Sequence, residues 1–162
     1  MKKKERFTQA IKKNEALIYK VTLLYTNSLQ DREDLYQEIV LQLWKSFDSF
    51  NEYSKLSTWM YRVALNTAIY HLKKSKRKVG TTSIEPIVER IADYKDNSEE
   101  ERIKLLHDHV QKLNLLEKGI ILLYLEGKNH EEIAEIIGIT TSNVGTMISR
   151  IKKKLKSQII KK

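Results

Sequence analysis

The chain has 162 residues, a formal net charge of +9, 41% hydrophobic residues and no cysteine. That length suits one medium domain or two small ones, and that hydrophobic share supports a packed core rather than wholesale disorder. Disulfide scaffolds, thiolate zinc sites and cysteine nucleophiles are excluded, which favours a reducing compartment.

No apolar run approaches the ~18 residues that mark a membrane span, so no membrane insertion is expected. The opening MKKKERFTQA is basic but has no apolar segment behind it, so it does not read as a signal peptide. Charge is unevenly spread. Residues 1–78 carry 16 Lys+Arg against 8 Asp+Glu, residues 79–110 carry 4 against 8, and residues 111–162 carry 10 against 5. Two basic blocks flanking an acidic segment point to a polyanionic partner, held by a salt-sensitive attraction.

With 5 glycines and a single proline, the chain reads as all-α. A first helix is predicted over about 7–28, where Phe7, Ile11, Ala16, Leu17, Val21, Leu24 and Tyr25 recur at helical spacing. A second starts at Asp31, an N-cap residue type, and runs to about Lys45 with Leu35, Ile39 and Leu43 as its core stripe. Opposite that stripe lie Asp34, Gln37, Glu38 and Leu41. An acidic strip with a leucine in it suits either a solvated face or a protein-binding one.

The loop SFDSFNEYSKLS brings Phe47, Phe50, Tyr53 and Lys55. The third helix runs from Ser57 to about Lys76 and ends in the cationic KKSKRK, residues 73–78. Met60, Val63, Ala64 and Thr67 lie toward its core. Arg62, Asn66, Tyr70 and Lys73 share another face. That face combines charge for phosphates, an amide for a base edge and a ring for stacking on an unpaired base.

Residues 79–97, with Gly80, Thr81-Thr82-Ser83, Pro86 and several acids, read as a flexible linker. Ser98 to Glu101 forms a capping box that starts a helix to about Leu113. Asn114, three residues before Glu117, starts the next, which ends at Gly127. Asn129, three before Glu132, starts another, which ends at Gly138. A last helix covers about Thr140 to Ser157. The architecture expected is two small helical domains, 1–78 and 98–162, joined by the linker.

The segment EEIAEIIGITTSNVGTMISRIKKKL carries the sharpest pattern. Ile133, Ala134 and Ile137 give the first helix its buried face, with Ala134 small where helices cross. Gly138 suits the left-handed turn, Ile139 plugs the corner and Thr140 caps the next helix. Val144, Ile148 and Ile151 form the inner face of that helix. Ser142, Asn143, Thr146 and Arg150 face outward, with Lys152, Lys153 and Lys154 behind them. A plain helical hairpin with cations at its end is the simpler reading. The placed small, glycine and β-branched residues favour a DNA-binding helix-turn-helix. A metal hydrolase built on His107 and His109 fails on spacing, because residues two apart on a helix point in different directions. The four histidines read as polar surface, with no cofactor or metal implied.

Three stretches together, DREDLYQEIVLQLWKSF, STWMYRVALNTAIYHLKKSKRK and EEIAEIIGIT, resemble the bacterial RNA polymerase sigma factors of the extracytoplasmic-function group. The matching residues are Glu33, Asp34, Leu35, Gln37, Glu38 and Trp44, then Thr58, Trp59, Met60, Tyr61, Arg62, Ala64 and Asn66. In the second half they are Leu123, Gly127, Glu132, Ile133, Ala134, Gly138, Ile139 and Thr140.

The resemblance implies a non-enzymatic, cytoplasmic protein that needs no cofactor, binds core RNA polymerase and promoter DNA, and admits an anti-sigma factor as a further partner. It implies that Asp34, Gln37, Glu38 and Leu41 dock on core polymerase. It assigns the minus-ten element, read as single strand, to Phe50, Lys55, Trp59, Arg62, Asn66, Tyr70, Lys73, Lys74, Lys76 and Arg77. The minus-thirty-five duplex falls to Thr140, Ser142, Asn143, Thr146, Arg150, Lys153 and Lys154. Departures from the family pattern are Tyr70 in place of an acid, Gly145 and Met147 where many members carry cations, and Met60 for leucine. The competing expectation is a stand-alone helix-turn-helix transcriptional regulator, which leaves residues 31–76 without a role.

Overall fold

The computed structural model describes residues 2–50, 52–78 and 108–160, with the side chains of 75–78, 159 and 160 outside the description. Every regular element among the described residues is helical. The chain divides into two units, residues 1–85 and 86–162. The predicted linker, the Ser98 capping box and His107 lie outside the described residues.

Asn14 breaks the first predicted helix in two. Helix α1 spans Lys3–Lys13 and α2 spans Glu15–Tyr25. Asn14 leaves helical geometry, with φ −123° and ψ 21°, and its side-chain amide donates to the Ala10 carbonyl at 2.9 Å. This uses asparagine's ability to satisfy backbone groups locally. The break resets the helical phase, so Ala16 from the predicted stripe is exposed while Ile18, outside it, is fully buried.

Helix α3, Leu29–Ser46, begins one turn earlier than predicted. Ser28 is its N-cap and accepts from the Asp31 N–H at 3.1 Å. Asp31 is then a first-turn acid favoured by the helix dipole rather than the cap itself. A 3-10 turn, Phe47–Ser49, follows, and then α4, Leu56–Lys78. Helix α4 packs on both α2 and α3. Ile18, Val21, Leu35, Ile39, Leu43, Met60, Ala64 and Leu65 make the core between them. Each large side chain so buried contributes about 1.5–3 kcal/mol of transfer free energy. Of the third helix's predicted inner residues, Val63 and Thr67 are only half-buried.

In the second unit residues 108–110 are helical and precede α5, Leu115–Leu125; α6, His130–Ile137; and α7, Thr141–Ile160. Both predicted asparagine capping boxes form. Asn114 accepts from the Glu117 N–H at 2.8 Å and Glu117 reaches back to the Asn114 N–H at 3.0 Å. Asn129 and Glu132 repeat the exchange.

Gly127, at φ +83°, ends α5 with its own N–H on the Tyr124 carbonyl and the Lys128 N–H on Leu123. Gly138, at φ +86°, ends α6, and its N–H and that of Ile139 both reach the Ala134 carbonyl. Thr140 accepts from the Asn143 N–H at 3.1 Å and starts α7. Ile133, Ile136, Val144, Ile148 and Ile151 are buried. Ile136 takes the place predicted for Ile137, which is half-buried along with Ala134. Helix α7 also runs past the predicted Ser157.

Gly138 and Gly145 differ in what an added methyl would do. At Gly138 a Cβ would meet nothing within 4 Å, so the cost of Gly138→Ala is the left-handed backbone alone, about 1–2 kcal/mol. At Gly145, inside α7, a Cβ would sit 3.6 Å from the His130 ring, an ordinary contact. Gly145→Ala should therefore stabilise by up to about 1 kcal/mol through helix propensity. Chemical denaturation of both variants should shift the midpoint in opposite directions.

Candidate polymerase and nucleic-acid interfaces

The α3 strip is presented to solvent. Asp34, Gln37 and Leu41 are exposed, Leu41 to 43%, directly across the helix from Leu35, Ile39 and Leu43. Glu38 is half-buried and accepts from the Gln42 side chain at 3.0 Å, so it is held along its own helix.

The proposed single-strand face starts from an aromatic cluster. Phe7 packs edge-on against Trp44 at 5.1 Å and Phe47 at 5.4 Å. Trp59 stands 6.2 Å from Phe47 and 5.1 Å from Phe50. Lys3 clasps this cluster from α1, with its ammonium 4.1 Å over the Trp44 ring and 2.9 Å from Asp48. Phe47 is therefore core, while Phe50 and Trp59 are half-buried and pair with each other. Lys55 is exposed, and so is Tyr53, to 92%. Along α4, Asn66, Tyr70, Lys73 and Lys74 are exposed and Arg62 is half-buried. Lys76 and Arg77 lie on the helical backbone, with side chains outside the description.

In the helix-turn-helix, Thr140, Ser142, Asn143, Thr146, Arg150, Lys153 and Lys154 are all exposed. Their engagements differ. Thr140 is committed to capping, and the Thr146 hydroxyl donates to the Ser142 carbonyl at 3.2 Å. Lys152 lies 4.5 Å over the Tyr124 ring. Lys154 pairs at 2.7 Å with Glu117, a carboxylate only 6% exposed. Burial pushes the Glu117 carboxyl up. The Lys154 hydrogen bond, the Asn114 N–H and the lysine charge outweigh that and hold it below its usual range. The capping pattern flagged Glu117 for its cap, but no local spacing links it to Lys154, 37 residues on.

His109 departs from the expected polar surface. It is buried, its Nδ1 lies 3.2 Å from the Gln158 side-chain oxygen, and its Nε2 has no hydrogen-bond partner among the described residues. No group of three or more potential metal ligands occurs among the described residues. No described helix is long and apolar enough to cross a membrane.

A tight-turn helix pair with an exposed polar and cationic second helix defines a helix-turn-helix protein, here preceded by a separate helical unit. Residues 10–78 match Sigma-70 region 2, and residues 103–155 match Sigma-70 region 4. The chain is 30% identical over 147 residues to the RNA polymerase sigma factor SigV of Bacillus subtilis, covering 88% of this chain and 84% of that one. It is also 30% identical over 160 residues to the ECF sigma factor SigG of Mycobacterium tuberculosis, covering 82% of this chain but only 43% of SigG. The fold matches the sigma factor RpoE of Bartonella quintana, solved with the anti-sigma factor NepR. The TM-score there is 0.79 at 19% identity, over 96% of this chain and 97% of RpoE. The chain belongs to the ECF RNA polymerase sigma factor family.

Proposed function

We propose that this chain binds core RNA polymerase and directs promoter-specific initiation, carrying no reaction of its own. The observation that carries this reading is the order of matches in one chain: region 2 over 10–78, then region 4 over 103–155. A stand-alone DNA-binding regulator uses the second and leaves the first idle. Within the proposal, Asp34, Gln37 and Leu41, with Glu38 beside them, dock on polymerase. The exposed face of α4 and the loop before it take the minus-ten strand. The outer face of α7 reads the minus-thirty-five duplex, with Arg150 and the lysines positioning on phosphates and Asn143, in the first turn, toward the base edges.

Working with polymerase places the chain in the cytoplasm. The RpoE–NepR pair, similar in fold, supports an anti-sigma protein as a further partner. Co-elution of the purified chain with bacterial core polymerase on a sizing column is the test. A stoichiometric complex is expected. A folded chain that elutes alone would hand first place to the stand-alone regulator.

A further inference from the structure

Gly145 leaves a gap in the side-chain surface of α7, and another helix fills it. His130, the first residue of α6, lays its imidazole there. A Cβ built on Gly145 would stand 3.6 Å from the His130 Nδ1 and 3.7 Å from its Cε1. The ring is thus seated on the α7 backbone, where a side chain of α7 would otherwise lie. His130 is exposed, and no hydrogen bond or ion pair joins its ring to a described residue.

The position on α7 sets what the ring can reach. Ser142 and Ser149 lie three residues before and four after Gly145, so they share its side of the helix. Ser142 also belongs to the outer face with Asn143, Thr146 and Arg150, and all of these are exposed, as is Ser149. The imidazole therefore borders the face that enters the groove in the proposed function. A major groove admits one α-helix between its two phosphate strands, so a group on that border meets phosphate rather than base.

The charged groups near the ring are few. On α7 the positions within a turn of Gly145 on this side, Thr141, Ser142 and Ser149, carry no charge. Lys152, two turns on, lies over the Tyr124 ring. On α6, Glu131 adjoins His130 in sequence, and Glu132 serves the Asn129 cap and pairs with Lys128 at 3.7 Å. Glu126 caps the end of α5. Protonation of the ring itself then decides whether this border of α7 is cationic.

We propose that His130 is a proton-dependent phosphate contact of the helix-turn-helix, so that duplex affinity rises as the medium turns acidic. The inference rests on the reading of α7 as the duplex-binding helix and adds a residue from outside it. Imidazole is the side chain that ordinarily gains its charge across roughly pH 8 to 5. As imidazolium it offers a phosphate oxygen a charge-assisted N–H, stronger than the bond a neutral ring donates. The contact is complete at the acid end of that interval and is lost as pH rises through it.

The test is the salt dependence of binding to a short mixed-sequence duplex, with the full chain alone and in complex with core polymerase. It is measured at about pH 5.5 and about pH 8. In wild type the slope of log affinity against log salt should be steeper at the lower pH, by up to about 0.9. His130→Ala should remove that difference, and His130→Lys should keep the steep slope at both pH values. The other histidines are common to all three proteins, so comparing them isolates position 130. A slope in His130→Ala that shifts with pH as much as wild type's would overturn the proposal. So would a His130→Lys slope no steeper than wild type's at the higher pH. Arg150→Ala separates this failure from failure of the α7 reading. If it flattens the slope while the His130 variants change nothing, α7 still binds duplex and only the inference falls. If neither position matters, or no duplex is bound in either form, both fall.

Discussion

Combining Asp34→Ala, Gln37→Ala and Leu41→Asp should abolish stable co-elution with core RNA polymerase while leaving the chain folded and its duplex affinity unchanged. The three positions are spaced three and four residues apart, so they share one face of α3. All three are exposed, and the residues that α3 buries, Leu35, Ile39 and Leu43, point the other way. The substitutions therefore remove no core contact, and stability should stay within about 0.5 kcal/mol. Leu41 is the one apolar residue of a polar strip, exposed where an apolar side chain can anchor an interface in which a few residues carry most of the binding energy. An aspartate there would bring an unpaired charge into the contact. Loss of two or more hot-spot residues costs ~2–4 kcal/mol each, enough to turn a stable complex into a transient one. Glu38 is left in place because Gln42 already holds it. Equal losses of polymerase binding and of duplex binding would show that the triple variant damages the whole molecule, and the division of labour between α3 and α7 would fall.

What the sequence made legible follows from how local each signal is. The two asparagine capping boxes and both helix-ending glycines form where they were read, because each is settled by residues three to five apart. The α3 core stripe is likewise a matter of one helix's period. The break at Asn14 was missed because the apolar spacing on either side of it runs on without interruption. Only the asparagine amide, bonding back to Ala10, distinguishes one helix from two. At the interfaces, exposure of the α3 strip and of the outer α7 residues could be read from phase. The aromatic cluster and the clasp of Lys3 on Trp44 and Asp48 could not, since both bring α1 onto residues far along the chain, outside any one helix's period.

The same contrast separates the lysines of α7, where Glu117 decides what one of them can do. Its buried carboxylate closes the α5 capping box with one oxygen and holds Lys154 with the other. Glu117→Ala removes both and should destabilise the second unit by about 2 kcal/mol, chiefly through the lost cap, in which the carboxylate accepts the Asn114 N–H. The ion pair itself adds little, because Lys154 is 53% exposed and solvent screens it. Glu117→Gln keeps a capping acceptor and isolates the charge. Since the folded state holds this carboxyl below its ordinary 4.5, its contribution is present above that value and is lost as pH falls through the lowered pKa. Wild type should therefore lose stability in acid more steeply than Glu117→Gln, as chemical denaturation across that range would record. On DNA the sign reverses. Glu117→Gln frees the Lys154 ammonium for a phosphate, so the dependence of log affinity on log salt should steepen by about 0.9. Lys153→Ala, which removes an exposed cation from the same turn, should flatten it by a similar amount. An unchanged slope in Glu117→Gln would mean that Lys154 faces Glu117 whether or not DNA is bound, and would leave Arg150 and Lys153 as the phosphate contacts of α7.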